Sequence, residues 1–249
     1  MNKIALLLAA GLSAGLMAGC ASNVARTQTL SSYDRLTQND DGLVPVLAFA
    51  DGEGAGAITS VYMERADVAP GVIEASGLEP ETFARVVDTL SGTMCRRLAR
   101  GNMQVTDNPD LASHRLELTI TGFDATNPLA AGASGVIGVF VPGPLSPRLP
   151  VGIGALAAEG ELLDNAGTQI AAMQYDARNH LASGAGTFTL LRGDIGATSD
   201  ARDLAQGFAD RFGDLIINAR DDAGGPRGET ERGICDALFN DASAEVEAG

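Results

Sequence analysis

The chain has 249 residues, with 32 Asp and Glu against 17 Lys and Arg, for a formal net charge of -15. So acidic a balance excludes contact with nucleic acid or anionic lipid through a basic face, because like charges would repel the partner on approach. With two histidines, three cysteines and no tryptophan, histidine-based metal sites and acid–base pairs are nearly excluded by count, and no metal or cofactor is expected. At 45% hydrophobic and 20% charged residues, the composition suits a folded domain rather than a disordered chain.

The first twenty residues, MNKIALLLAAGLSAGLMAGC, place one cation at Lys3, an uncharged apolar run from Ile4, and small residues ending in a cysteine. This is the three-part signature of an export signal, and the apolar run is short for a membrane span. Leu16-Met17-Ala18-Gly19-Cys20 also fits the lipobox of bacterial lipoproteins, which implies cleavage of residues 1–19 and acylation of Cys20. Cleavage would leave 230 residues and discard the only lysine, taking the charge from -15 to -16. Ala21 stands where an inner-membrane retention signal usually has Asp. By analogy with envelope sorting, the expected location is the outer membrane, lipid-anchored, with the domain facing the periplasm. Residues 20–45 are rich in Ser, Thr, Asn, Gln and Asp and read as a flexible tether, lightly docked at most through Tyr33 and Leu36.

The domain proper is expected over 46–220. Val46 to Ala50 is a short apolar run, Asp51 to Gly56 a glycine-rich loop, and Ile58 to Arg65 a β-branched and aromatic strand. Glu79-Pro80-Glu81 opens the clearest helix, with Phe83, Val86, Val87, Leu90, Met94 and Leu98 forming one apolar stripe, and Gly101 supplying the stop. Met103 to Thr106 is a short strand candidate. Between Arg115 and Phe123, Leu116, Leu118 and Ile120 alternate with polar residues as in a half-buried strand.

Ala125 to Ala158 carries a single charge, Arg148, with Gly132, Gly135 and Gly138 in its first part and Pro142, Pro144, Pro147 and Pro150 in its second. It reads as an apolar loop or crossover over the sheet, or as a segment packing on a membrane or another subunit. Val151 to Leu163 and Thr168 to Tyr175 flank the turn Asp164-Asn165-Ala166-Gly167 and form a hairpin. Thr198-Ser199-Asp200 offers caps for a second helix bearing Leu204, Phe208, Phe212, Leu215 and Ile216. Residues 221–249 read as an acidic C-terminal tail. The resulting fold class is single-domain α+β: a mostly antiparallel or mixed sheet of about five or six strands with two main helices on one face.

Few residues suggest chemistry. Once Cys20 is acylated, Cys95 on the first helix and Cys235 in the tail remain as a possible disulfide or as two free thiols. Gly52-Glu53-Gly54 and Gly152-Ile153-Gly154 lack the strand-then-helix context of a dinucleotide fingerprint. His114, at the edge of the Leu116 strand, and His180, in a polar loop, read as surface or loop histidines. There is no Gly-x-Ser-x-Gly, Cys-x-x-Cys or His-Glu-x-x-His pattern, so no catalytic residue is assigned and an enzyme is not expected.

Three stretches support a resemblance to a known family: Leu30-Ser31-Ser32-Tyr33-Asp34-Arg35-Leu36 after the lipobox, Leu116 to Asp124 running into Ala125-Thr126-Asn127-Pro128, and Glu159-Gly160-Glu161-Leu162-Leu163-Asp164 with Gly167 beyond. In their order and spacing the chain resembles the bacterial lipoproteins of domain of unknown function 3313, from about Leu30 to Arg220. The resemblance implies an outer-membrane-type lipoprotein and carries over no catalytic or ligand residues. The expectation is a non-enzymatic binding or structural module of the envelope, joined to the membrane by the lipid on Cys20 and to an envelope protein partner, without nucleic acid. Two alternatives stand beside it: an oligomeric secretion or envelope-assembly component using residues 129–156, and a hydrolase with a dispersed site.

Overall fold

A computed structural model describes residues 28–39, 46–124, 155–178, 197–231 and 233–239. The export signal, Cys20, His180 and residues 129–154 lie outside the described residues.

In chain order the elements are β1 (Thr37–Asn39), β2 (Val46–Ala50), α1 (Gly52–Gly56), β3 (Ser60–Met63), β4 (Asp67–Val68), α2 (Val72–Ser76), α3 (Pro80–Arg100), β5 (Gln104–Thr106), a 3-10 turn at Pro109–Leu111, β6 (His114–Asp124), β7 (Ala155–Asp164), β8 (Gln169–Arg178), α4 (Ala197–Asp222) and α5 (Ile234–Phe239). The strands form one mixed sheet in the order β1-β2-β8-β7-β6-β3-β5, and β4 also pairs with β6. β6 pairs antiparallel with β7 and β7 with β8, whereas β3 runs parallel to both β5 and β6. The α+β class holds, with eight strands among the described residues. The excess over six comes from β1 and β4, which at three and two residues are too short to show a period, whereas β5 falls on the expected short strand at Met103 to Thr106.

The inner face of the sheet is apolar. Leu116, Leu118 and Ile120 point to it from β6, and a bulge between Ile120 and Gly122 shifts the phase so that Phe123 joins them opposite Leu156. One extra residue in a strand has this effect because side chains alternate with a period of two. Phe83 of α3 meets Phe123 edge-on at 5.4 Å. Helix α4 lies close over β7 at Gly160, where an added Cβ would come within 2.6 Å of Phe212 Cε1. The two helices also touch at Gly213, where a Cβ would stand 2.5 Å from Arg97 Cγ.

The segment Asp51–Gly56 is a short helix rather than the expected loop. The Asp51 carboxylate caps it by accepting from the amides of Glu53 and Gly54. Its glycines allow close approach, since a Cβ at Gly54 would clash with Ile170 at 2.7 Å and one at Gly56 with Ala223 at 2.9 Å. The expected caps Thr198, Ser199 and Asp200 fall inside α4, which begins at Ala197. The hairpin strands are Ala155–Asp164 and Gln169–Arg178, so both ends at the turn fall one residue later than expected and β8 runs three residues further than its apolar run suggested.

The C-terminal region also departs from a loose tail. Helix α4 continues to Asp222, and its fully buried Arg220 donates to the carbonyls of Gly101 at 2.6 Å and Asn102 at 3.0 Å. A guanidinium there satisfies carbonyls just past the negative end of α3. Beyond it, the Gly228 amide donates to the Asn102 carbonyl at 2.8 Å. The Thr230 hydroxyl bridges β5 by donating to the Met103 carbonyl at 2.5 Å and accepting from the Val105 amide at 3.0 Å. Cys235, on α5, is joined to Cys95 of α3 by a disulfide with Cα atoms 5.6 Å apart. Residues 228–231 and 233–239 are therefore part of the packed domain.

Candidate functional site: a strap over two buried glutamates

On β7 the even-numbered residues Leu156, Ala158 and Leu162 turn toward the helices, which puts Glu159 and Glu161 on the opposite face. Such positions are normally solvated, yet Glu159 is 1% and Glu161 3% exposed. Two carboxylates out of water need several charge-assisted donors each, and here the donors come from the N-terminal segment.

Residues 28–36 cross this outer face as a strap. Thr29 donates to Glu159 Oε2 through both its amide, at 2.9 Å, and its hydroxyl, at 2.7 Å. Two residues on, Ser31 repeats the arrangement on Glu161 Oε2, with its amide at 3.0 Å and its hydroxyl at 2.6 Å. The strap thus matches the i, i+2 spacing of the glutamates with its own i, i+2 pair of hydroxyl residues. Tyr33 folds back so that its hydroxyl donates to Glu159 Oε2 at 2.7 Å and accepts from the Thr29 and Leu30 amides. Burial, followed by the bond to Glu159, pushes its phenol up to about 12.

Side chains of β8 complete the clamp. Gln174 donates to Glu159 Oε1 at 2.7 Å, and Gln169 donates to Glu161 Oε2 at 2.9 Å and to the Ser32 carbonyl at 3.0 Å. Arg35 closes the strap by donating to the Gln169 carbonyl and lying 4.0 Å over the Phe49 ring. This corrects the expected flexible tether over 20–45: residues 28–36 are held by side-chain and main-chain bonds, and 37–39 form β1 on β2. Composition misled because the hydroxyl residues that suggested solvation are the donors.

The histidine expectation also needs correction. His114 begins β6 and is 4% exposed; burial lowers its pKa, opposed by the charge of Asp164. Ser113 Oγ lies 2.9 Å from His114 Nδ1, so serine, histidine and aspartate do converge here. Their bonds serve the strand junction. The Ser113 hydroxyl donates to the Ser60 carbonyl at 2.8 Å and accepts from the Thr59 and Ser60 amides. The Asp164 carboxylate accepts from the Ala166 and Thr168 amides of the β7–β8 turn. A neutral, buried ring makes a pH prediction. Because the folded pKa lies below the usual 6.5, the unfolded chain binds the extra proton first, and stability falls as pH drops through and below 6.5. His114→Gln is expected to flatten that part of the stability-versus-pH curve, as read from denaturant midpoints.

Among the described residues no group of three or more His, Cys, Asp or Glu could hold a metal ion. No described helix is long and apolar enough to cross a membrane.

The family model for proteins of unknown function, DUF3313, matches residues 25–212. The chain belongs to the DUF3313 family. The matched span includes the strap, both glutamates and most of α4, and it ends before Cys235. Two of the stretches that carry the resemblance, Leu30 to Leu36 and Glu159 to Asp164, are the two sides of the clamp. No curated protein matches the chain. A DUF4136 family protein of known crystal structure from Bacteroides thetaiotaomicron is 11% identical, with 70% of this chain and 98% of that one covered and a TM-score of 0.30.

Proposed function

We propose that the chain is a lipid-anchored, non-enzymatic binding or structural module of the cell envelope, exported under residues 1–19, acylated on Cys20 and facing the periplasm from the outer membrane. The observation that carries this reading is the clamp, which grips the chain nine residues after Cys20. Fully extended, those nine residues reach about 30 Å, so an acylated Cys20 would keep the domain close to the bilayer in a defined orientation. The most buried carboxylates of the described residues already accept from donors of the strap and of β8, which favours a mechanical role for them over acid–base work. The Cys95–Cys235 disulfide suits an oxidising compartment.

Cys20→Ala should move the protein from the membrane to the soluble periplasmic fraction; a variant retained fully in the membrane refutes the anchor. In-cell crosslinking with the anchor intact should capture an envelope partner, and capture no greater than background refutes the binding-module reading.

A further inference from the structure

We infer that the β5 edge of the sheet is a docking trough for an extended, positively charged segment of a partner protein. β5 ends the sheet, so one side of its backbone faces away from β3. The Val105 amide marks that side, because it donates to Thr230 Oγ1 rather than to a strand. The amide and carbonyl of one strand residue point the same way, so the Val105 carbonyl also faces outward. The C-terminal segment reaches this edge through the Thr230 side chain instead of pairing with it, which leaves an open trough of about 650 Å³ between the two.

The trough has the means to hold a strand and to choose its charge. Strand addition uses edge amides and carbonyls for affinity and side-chain pockets for selectivity. Leu111, 72% exposed, lines the trough beside Asp107, Glu229 and Glu231. An apolar side chain of the incoming segment would cover Leu111 while its cations meet the three carboxylates. The same charges disfavour the other available occupants. A second copy carries the same -15, and the chain beyond the described residues adds Asp241, Glu245 and Glu247. The disulfide keeps the far wall in place by joining α5 to α3.

The inference rests on the binding-module reading and is tested with the full acylated chain in detergent. The probe is a short, blocked, fluorescent peptide of alternating valine and lysine, with its valine–glutamate counterpart as control, at physiological salt. Saturable binding of the lysine peptide is expected, with little for the glutamate peptide. Glu229→Lys with Glu231→Lys should weaken it about tenfold or more, and Leu111→Ser should weaken it severalfold. The charge-matched pair Glu74→Lys with Glu81→Lys should leave it unchanged. No saturable binding, or equal losses from both charge swaps, overturns the proposal. If the peptide ignores the trough while crosslinking still captures a partner elsewhere, the trough falls and the binding-module reading survives.

Discussion

Reduction of the Cys95–Cys235 bond, or its replacement by Cys95→Ala with Cys235→Ala, is expected to lower the free energy of unfolding by up to about 5 kcal/mol. The link closes a loop of 140 residues around most of the domain, and in the chain-entropy account a cross-link of that length restricts the unfolded chain strongly. For a domain of this size the loss corresponds to roughly 10–15 °C in the thermal midpoint. A local effect should accompany the global one. α5 spans six residues, too few to be helical without tertiary contacts, and it docks mainly through Cys235, Phe239 and the half-buried Ile234 and Leu238. Freed of the bond, α5 and the Thr230 bridge should detach first, so the Val105 amide should exchange with solvent faster in the reduced protein well below its melting point. An unchanged midpoint together with unchanged exchange at Val105 would show that packing alone holds the C-terminal segment.

The parts of the fold that were legible share one property: their burial follows a short period. The α3 stripe from Phe83 to Leu98 and the α4 stripe through Leu204, Phe208 and Phe212 are buried as their spacing of three and four requires. The alternation of β6 holds as far as Ile120. The illegible parts depend on partners remote in sequence. Asp51–Gly56 looks like a loop by composition and becomes a helix because Ile170 and Ala223 need its glycines close by. Glu159 and Glu161 occupy the polar phase of a strand, which ordinarily means solvent, and only the strap about 130 residues earlier makes that face an interior. Hydroxyl-rich residues before the domain look like a tether for the same reason. Two segments that carried the family resemblance proved to be in contact, so the likeness contained the pairing without revealing it.

Glu159→Gln combined with Glu161→Gln is expected to release the strap without unfolding the sheet. Seven donor groups converge on the two carboxylates: the Thr29 and Ser31 amides and hydroxyls, the Tyr33 hydroxyl, Gln169 and Gln174. A hydrogen bond to a charged group contributes about 1.5–3 kcal/mol net, and neutralising the acceptor removes around half of that. Each glutamine also turns an N–H group toward donors that need an acceptor. The simple sum exceeds what can be lost, because a strap that lets go recovers bonds to water. The expected cost is therefore about 5 kcal/mol at most, concentrated in residues 28–36, with the α3–α4 side of the sheet spared. Trypsin should then cut after Arg35, whose guanidinium the folded strap holds against Phe49 and Gln169, and the Thr29 and Ser31 amides should lose their exchange protection. Membrane partitioning should not change, since the lipid rather than the clamp would provide anchoring; this separates the variant from Cys20→Ala. The distance to the bilayer should change. With the strap released, the free chain from Cys20 extends to β1 at Thr37, and its limit grows from about 30 Å to about 60 Å. Neutron reflectometry of the acylated protein on a supported bilayer should show the domain layer moving outward and broadening. A layer of unchanged height and width, with tryptic cleavage at Arg35 confirmed, would mean that something other than the clamp sets the domain's position.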